Sequence, residues 1–164
     1  MHFQFYVEKL QDLDKYKVFK NENKKAFPCS CFFVIDKVGE DAKQHFDLWL
    51  DKKIFSFQLE KAELVPSDAP LEEEPEEISL DLDFEFNDIE KMIEERMEKD
   101  NVKNKVQKYL FSIQKQKGKH YIIGTVFVSN LGMLRVKICL DDMTVLDFEK
   151  KSFFDVLKVK GKEG

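Results

Sequence analysis

Residues 87–117 constrain the fold most, because apolar side chains recur there at helical spacing over the longest stretch of the chain. Ile89, Met92, Ile93 and Met97 lie three and four apart, and so do Val102, Val106, Tyr109, Leu110 and Ile113. At about 100° per residue the second set is rotated by more than a right angle from the first. The slip falls at Glu98-Lys99-Asp100-Asn101. The pattern predicts one long central helix, kinked or broken at that point. Asn87 with Glu90 three residues on reads as a capping box at its start. Acids up to Asp100 and lysines from Lys103 to Lys117 would complement the helix macrodipole.

Strand patterns flank this stretch. Phe3 to Leu10 alternates Phe3, Phe5 and Val7 with polar residues, and Tyr16 to Lys20 is a shorter candidate. Cys29–Lys37, Gln44–Leu50 and Ile54–Val65 read as a meander, with turns at Val38-Gly39-Glu40-Asp41 and Asp51-Lys52-Lys53. Ile78 to Phe86 alternates cleanly and leads into the helix. Tyr121–Ser129, Met133–Leu140 and Val145–Glu149 read as a second meander, and Ser152 with Asp155 would cap a short C-terminal helix, Phe153–Val159. The expected class is α+β: a mostly antiparallel sheet of meanders packed against one long, kinked or broken central helix, with a short C-terminal helix. Pro66 to Glu77 combines two further prolines with dense acid, so it reads as an acidic linker or loop. The 164 residues then form a single domain, or two lobes at 1–65 and 78–164.

Sixteen Phe within 43% hydrophobic content supply a core. No apolar run is long enough to span a membrane. The first residues lack the basic-then-apolar layout of a signal peptide. Cys29, Cys31 and Cys139 are odd in number and lack a disulfide-framework spacing, which points to a reducing, cytoplasmic setting. The net charge of −5 hides an asymmetry: residues 68–100 hold fifteen acids and three bases. Acid-rich and base-rich parts can pair within the fold or across a homodimer.

Three groups of residues could carry chemistry. Asp81, Asp83 and Glu85 alternate on one strand face about 7 Å apart. Oxygen ligands so placed suit Mg²⁺ or Ca²⁺, while the plainer reading is a strand face kept soluble by charge. Cys29-x-Cys31 puts two thiols on one face, but a zinc site needs two further ligands and none stands at ligand spacing. Lys103, Lys105 and Lys108, with Lys119, Arg135, Lys137, Tyr109 and Tyr121, could form a basic patch for single-stranded nucleic acid. The acidic total and the presence of only two arginines count against it. Trp49 on the polar side of its strand suggests a partner-facing surface. The acidic loop residues Glu72, Glu73 and Glu74 suggest a partner-capturing segment.

Leu48-Trp49-Leu50-Asp51, Ile54 and Phe57 are echoed by Ile138-Cys139-Leu140-Asp141, Val145 and Phe148, as two hairpins of a duplicated meander would be. Residues 88–150, a helix and then a meander with Asp141-x-x-Thr144 before Val145-Leu146, resemble the PepSY family of small helix-on-sheet domains. They depart from that family where Val145 stands in place of its usual Gly after the Thr. The resemblance implies a binding or inhibitory module and brings no catalytic residues. The expectation is a non-enzymatic intracellular binding or adaptor module for a protein partner. The alternatives are a divalent-metal hydrolase or phosphoryl-transfer enzyme on Asp81, Asp83 and Glu85, and a nucleic-acid binder on a lysine-rich helix face.

Overall fold

The computed structural model describes residues 1–67 and 72–152. Helices α1 (Phe3–Asp12) and α2 (Asp14–Glu22) lead into strands β1 (Phe27–Asp36), β2 (Lys43–Leu50), β3 (Lys53–Gln58) and β4 (Glu63–Pro66). Helix α3 (Phe86–Lys99) leads into β5 (Val106–Gln116), β6 (Lys119–Val128), β7 (Gly132–Cys139) and β8 (Thr144–Ser152). The eight strands form one antiparallel sheet in the order β4-β3-β2-β1-β5-β6-β7-β8. Two meanders, each preceded by helix, are thus joined through β1 and β5. That seam runs from Ser30↔Gln114 to Asp36↔Lys108 and centres on Phe33↔Phe111.

Pairs of left-handed residues turn the corresponding hairpins: Asp51 and Lys52 form the two-residue turn between β2 and β3, and Asn130 and Leu131 lie in the three-residue loop 129–131 between β6 and β7. A single left-handed residue precedes each outer strand, Ala62 before β4 and Met143 before β8. The repeat is therefore helix plus four strands. The echo read from sequence paired the β2–β3 hairpin with β7–β8, one strand out of step.

The expected long central helix is overturned. Helix α3 stops at Lys99 in a Schellman motif: Asn101 is left-handed at φ 56°, its N–H donates to the Glu98 carbonyl, and the Val102 N–H donates to Met97. Beyond it, Val106–Gln116 is strand β5. Period two fits this stretch because Tyr109, Phe111 and Ile113 are all buried, and Phe111 lay outside the helical spacing. Asn87 is not the cap; Glu85 holds that position, and Glu90 is buried against Lys37. Phe3–Leu10 and Tyr16–Lys20 are helical, not strands. Phe3, Val7 and Leu10 are buried at spacings of four and three while Phe5 is exposed, and the His2 ring accepts from the Gln4 N–H at the helix start. Ile78–Phe86 alternates as expected but runs as a thread tied to the N-terminus, with Phe3 N–H donating to Phe84 O and Phe86 N–H to Met1 O. The C-terminal helix expected at 153–159 lies outside the described residues.

All three helices bury their apolar stripes on one face of the sheet. Phe3 lies 6.1 Å from Phe33, Tyr16 5.4 Å from Phe57, and Phe86 4.6 Å from Phe33. Ile89, Ile93 and Met97 of α3 join Ile122, Val126, Leu134 and Val136 in the same core. Gly124 faces this core from β6, where a Cβ would come within 2.8 Å of Val136 and 3.0 Å of Phe111. The side-chain-free position lets the Phe111 ring lie over β6. Gly124→Val is expected to lower unfolding free energy by about 1–3 kcal/mol, read by chemical denaturation, while Thr125→Val on the opposite face changes it by less than about 0.5 kcal/mol.

Candidate functional site: the open face of the sheet

Strand alternation sends every second side chain to the face that no described helix covers. Register places Ser56, Asp47, Ser30, Gln114 and Tyr121 in one row across it. Gln58, His45, Phe32, Ser112, Ile123 and Lys137 form the next row, and Leu110, Thr125, Arg135 and Glu149 a third. None of the apolar residues here belongs to the main core. Ile123 and Phe127 are exposed.

In the first half this face is finished by a polar cluster. Ser30 Oγ and Ser56 Oγ both donate to the Asp47 carboxylate, and His45 Nδ1 lies 3.0 Å from it. Burial pushes the Asp47 carboxyl up, but the hydrogen bonds from His45, Ser56 and Ser30 together hold it below the usual range. His45 stacks on Phe32. A β-bulge at Cys29 lets its thiol donate to the Asp47 carbonyl, and burial raises that thiol to about 11. Cys31 points into the main core, so the bulge separates the two thiols that strict alternation would put on one face.

The acidic segment after β4 passes one end of this face as a strap. Glu74, Pro75 and Glu76 close a cleft of about 490 Å³ over Ser30, Asp47 and Gln114. Glu76 accepts the Lys117 and Gly118 N–H groups of the β5–β6 turn at 2.6 and 3.0 Å. The Ile78 N–H donates to Pro28 O, and the Ser79 N–H donates to Nε2 of His120 at 3.0 Å. That bond puts the His120 proton on Nδ1, which faces Asp141.

The residues singled out from sequence fall in separate places. Asp81, Asp83 and Glu85 are exposed on the thread, and Asp83 contacts His2 Nε2 at 2.6 Å. Among the described residues no group of three or more His, Cys, Asp or Glu is placed to hold a metal ion. Glu72 and Glu73 are exposed beside the strap, and Glu74 rims the Asp47 cleft. Trp49 is half-buried on the open-face side against Phe27, 5.5 Å away; its indole N–H is buried and makes no hydrogen bond among the described residues. Lys108 reaches the open face and binds Asp41 at 3.0 Å. Lys103 and Lys105 instead line a cleft of about 590 Å³ at the end of α3, with Met97, Val102 and Tyr109. The proposed basic patch is thus divided: Tyr109 is buried in the core, while Lys137 sits 4.5 Å over Tyr121 on the open face.

Sequence reasoning missed Asp47, Ser30 and Ser56, because the cluster is assembled by register across three strands. It also missed Ile123 and Phe127, whose alternation was visible but whose uncovered face was not.

The site therefore belongs to a protein class defined by architecture: an eight-stranded antiparallel sheet of two meanders with the described helices all on one face. No family model matches the chain, and no curated protein matches it. It is similar in fold to the crystal structure of a putative lipoprotein from Clostridium difficile 630, with a TM-score of 0.56 and 14% identity over 84% of this chain and 91% of that one.

Two outcomes are expected. Burial lowers the His120 pKa from its ordinary 6.5 despite the Asp141 and Glu76 carboxylates nearby, and Lys115 adds to the lowering. The unfolded chain then takes up this proton before the folded one does. The His120 contribution is complete above about pH 6.5 and is lost as pH falls from there through the lowered pKa. The stability difference between wild type and His120→Gln should therefore change in that window, measured by urea unfolding at stepped pH. The thermal midpoint should be the same in EDTA as in Mg²⁺ or Ca²⁺ at matched ionic strength; a rise of several degrees, absent in Asp83→Asn, would make the acidic thread a metal site.

Proposed function

We propose that this chain is a non-enzymatic protein-binding module that presents the uncovered face of its sheet. The observation carrying this reading is that one face is closed by three helices while the other leaves Ile123 and Phe127 exposed among half-buried Phe32, Leu110 and Tyr121. The polar groups argue against catalysis. Hydroxyl nucleophiles need a base to take their proton, yet Ser30 and Ser56 both donate to a carboxylate held below its usual range. Cys29 is held largely as the thiol. The likeness of residues 88–150 to PepSY domains points the same way. Placement inside the cell rests on the three free cysteines.

The purified chain, cross-linked through its lysines in an extract of the cells that make it, tests this. A partner should be recovered at near-equal amount, with cross-links at Lys43, Lys108 and Lys137 on the open face rather than at Lys91 and Lys99 of α3. Recovery no better than that of an unrelated acidic domain, or cross-links confined to α3, would overturn the proposal.

A further inference from the structure

Building on the binding-module reading, we infer that the β5–β8 half of the open face is the docking surface, and that it takes an acidic, extended protein segment carrying apolar side chains. Strand β6 supplies a ridge: Ile123 and Phe127, 37% and 38% exposed, with Thr125 between them. Successive same-face positions are about 7 Å apart, which is also the repeat of an extended partner. Phe127 divides two hollows. One of about 280 Å³ is lined by Val128, Leu131 and Met133, and one of about 390 Å³ by Asp36, Val38 and Lys108. Each has room for a side chain of such a segment.

Charge selects the partner. Arg135 and Lys137 flank the ridge on β7, and among the described residues neither has a carboxylate within 4.0 Å. Glu149 lies opposite Arg135 on β8 but turns to Lys151 at 3.8 Å, and Asp147 lies opposite Lys137 without reaching it. Two adjacent cations beside an apolar ridge match alternating carboxylates and apolar groups. The chain already brings one acidic segment to this sheet, since Glu74, Pro75 and Glu76 line a cleft together with Ile54, Gln114 and Lys115, and Glu76 is held by the β5–β6 turn. Nucleic acid fits less well, because its bases need stacking platforms along a continuous cationic track. Here the exposed ridge is one aliphatic and one aromatic side chain.

Random peptides of about twelve residues, displayed on phage, are selected on the immobilised full chain. The enriched sequences are then measured by fluorescence anisotropy against wild type, Arg135→Gln with Lys137→Gln, and Phe127→Ser, after thermal midpoints confirm that each variant folds. Enriched peptides should carry carboxylates among apolar residues, bind about tenfold more weakly to the charge variant and to Phe127→Ser, and weaken as salt rises. The charge variant changes only exposed or half-exposed side chains, so it remains informative if Phe127→Ser unfolds. Basic or neutral peptides, or binding indifferent to these variants, would overturn this surface and leave the binding module standing. No enrichment would overturn the extended-segment surface, and the cross-linking recovery decides the binding module separately. A concentration-dependent dimer in sedimentation, abolished by the same substitutions, would assign the face to a second copy and overturn the acidic partner.

Discussion

The antiparallel seam between β1 and β5 holds the molecule together. Each four-stranded meander alone would expose a seam strand whose backbone groups need partners, and β1 and β5 satisfy each other from Ser30↔Gln114 to Asp36↔Lys108. The helices close over the same line. Phe86 enters from the start of α3 to meet Phe33 of β1 and Phe111 of β5, at 4.6 and 6.2 Å, so one ring binds the two halves from above. Burying such an aromatic contributes a few kcal/mol, a large fraction of the stability a domain of this size has. The strap from Glu76 to Ser79 adds hydrogen bonds at one end of the seam, to Lys117, Gly118, Pro28 and His120.

The two halves share a plan and differ in finish. On the open face of the first, a half-buried anion is fully answered: Asp47 takes Ser30, Ser56 and His45, and the strap closes the cleft over it. Removing any of those donors would leave a half-buried charge underpaired, which is costly, so this half is fixed. On the second half, the β6 positions that face out carry Ile123, Thr125 and Phe127, and among the described residues no counter-charge comes to Arg135 or Lys137. A half-buried polar network satisfied within the chain has little to offer a partner; an exposed apolar ridge with unpaired cations has both area and charge.

Local pattern made the meanders legible and left the helices ambiguous. Strands β2 and β7 announced themselves by alternation, β1 by a strongly apolar run and β6 by its place between turn residues, and the β2–β3 turn stood where Asp51-Lys52 fell. Helix α1 was misread because Phe3, Phe5 and Val7 also satisfy period two. Only the burial of Leu10 and the exposure of Phe5 distinguish the helix, and those are tertiary facts. Strand β5 was misread in the opposite sense, because Val106, Tyr109 and Ile113 happen to fall three and four apart while Phe111 completes the strand pattern. Asn101 marked the true stop, since a left-handed residue is what a Schellman ending needs and Asn tolerates it. The Asp47 cluster had no linear signature. Its members lie on β1, β2 and β3 and meet only after Ser30↔Asp47 and Asp47↔Ser56 are set by register.

The acidic fifth of the chain gives the open face its direction. Residues 72–100 hold fourteen acids and three bases, and the structure spreads that charge over the strap, the thread and the outward side of α3, where Glu94, Glu95 and Glu98 are exposed. An acidic partner is therefore repelled from the helical layer and from the strap end of the sheet. The remaining approach is toward Arg135 and Lys137, which stand on the far side of the sheet from α3. Such fields act over about a Debye length, roughly 8 Å at physiological salt, so they orient an encounter before any contact forms and raise its rate more than its final affinity.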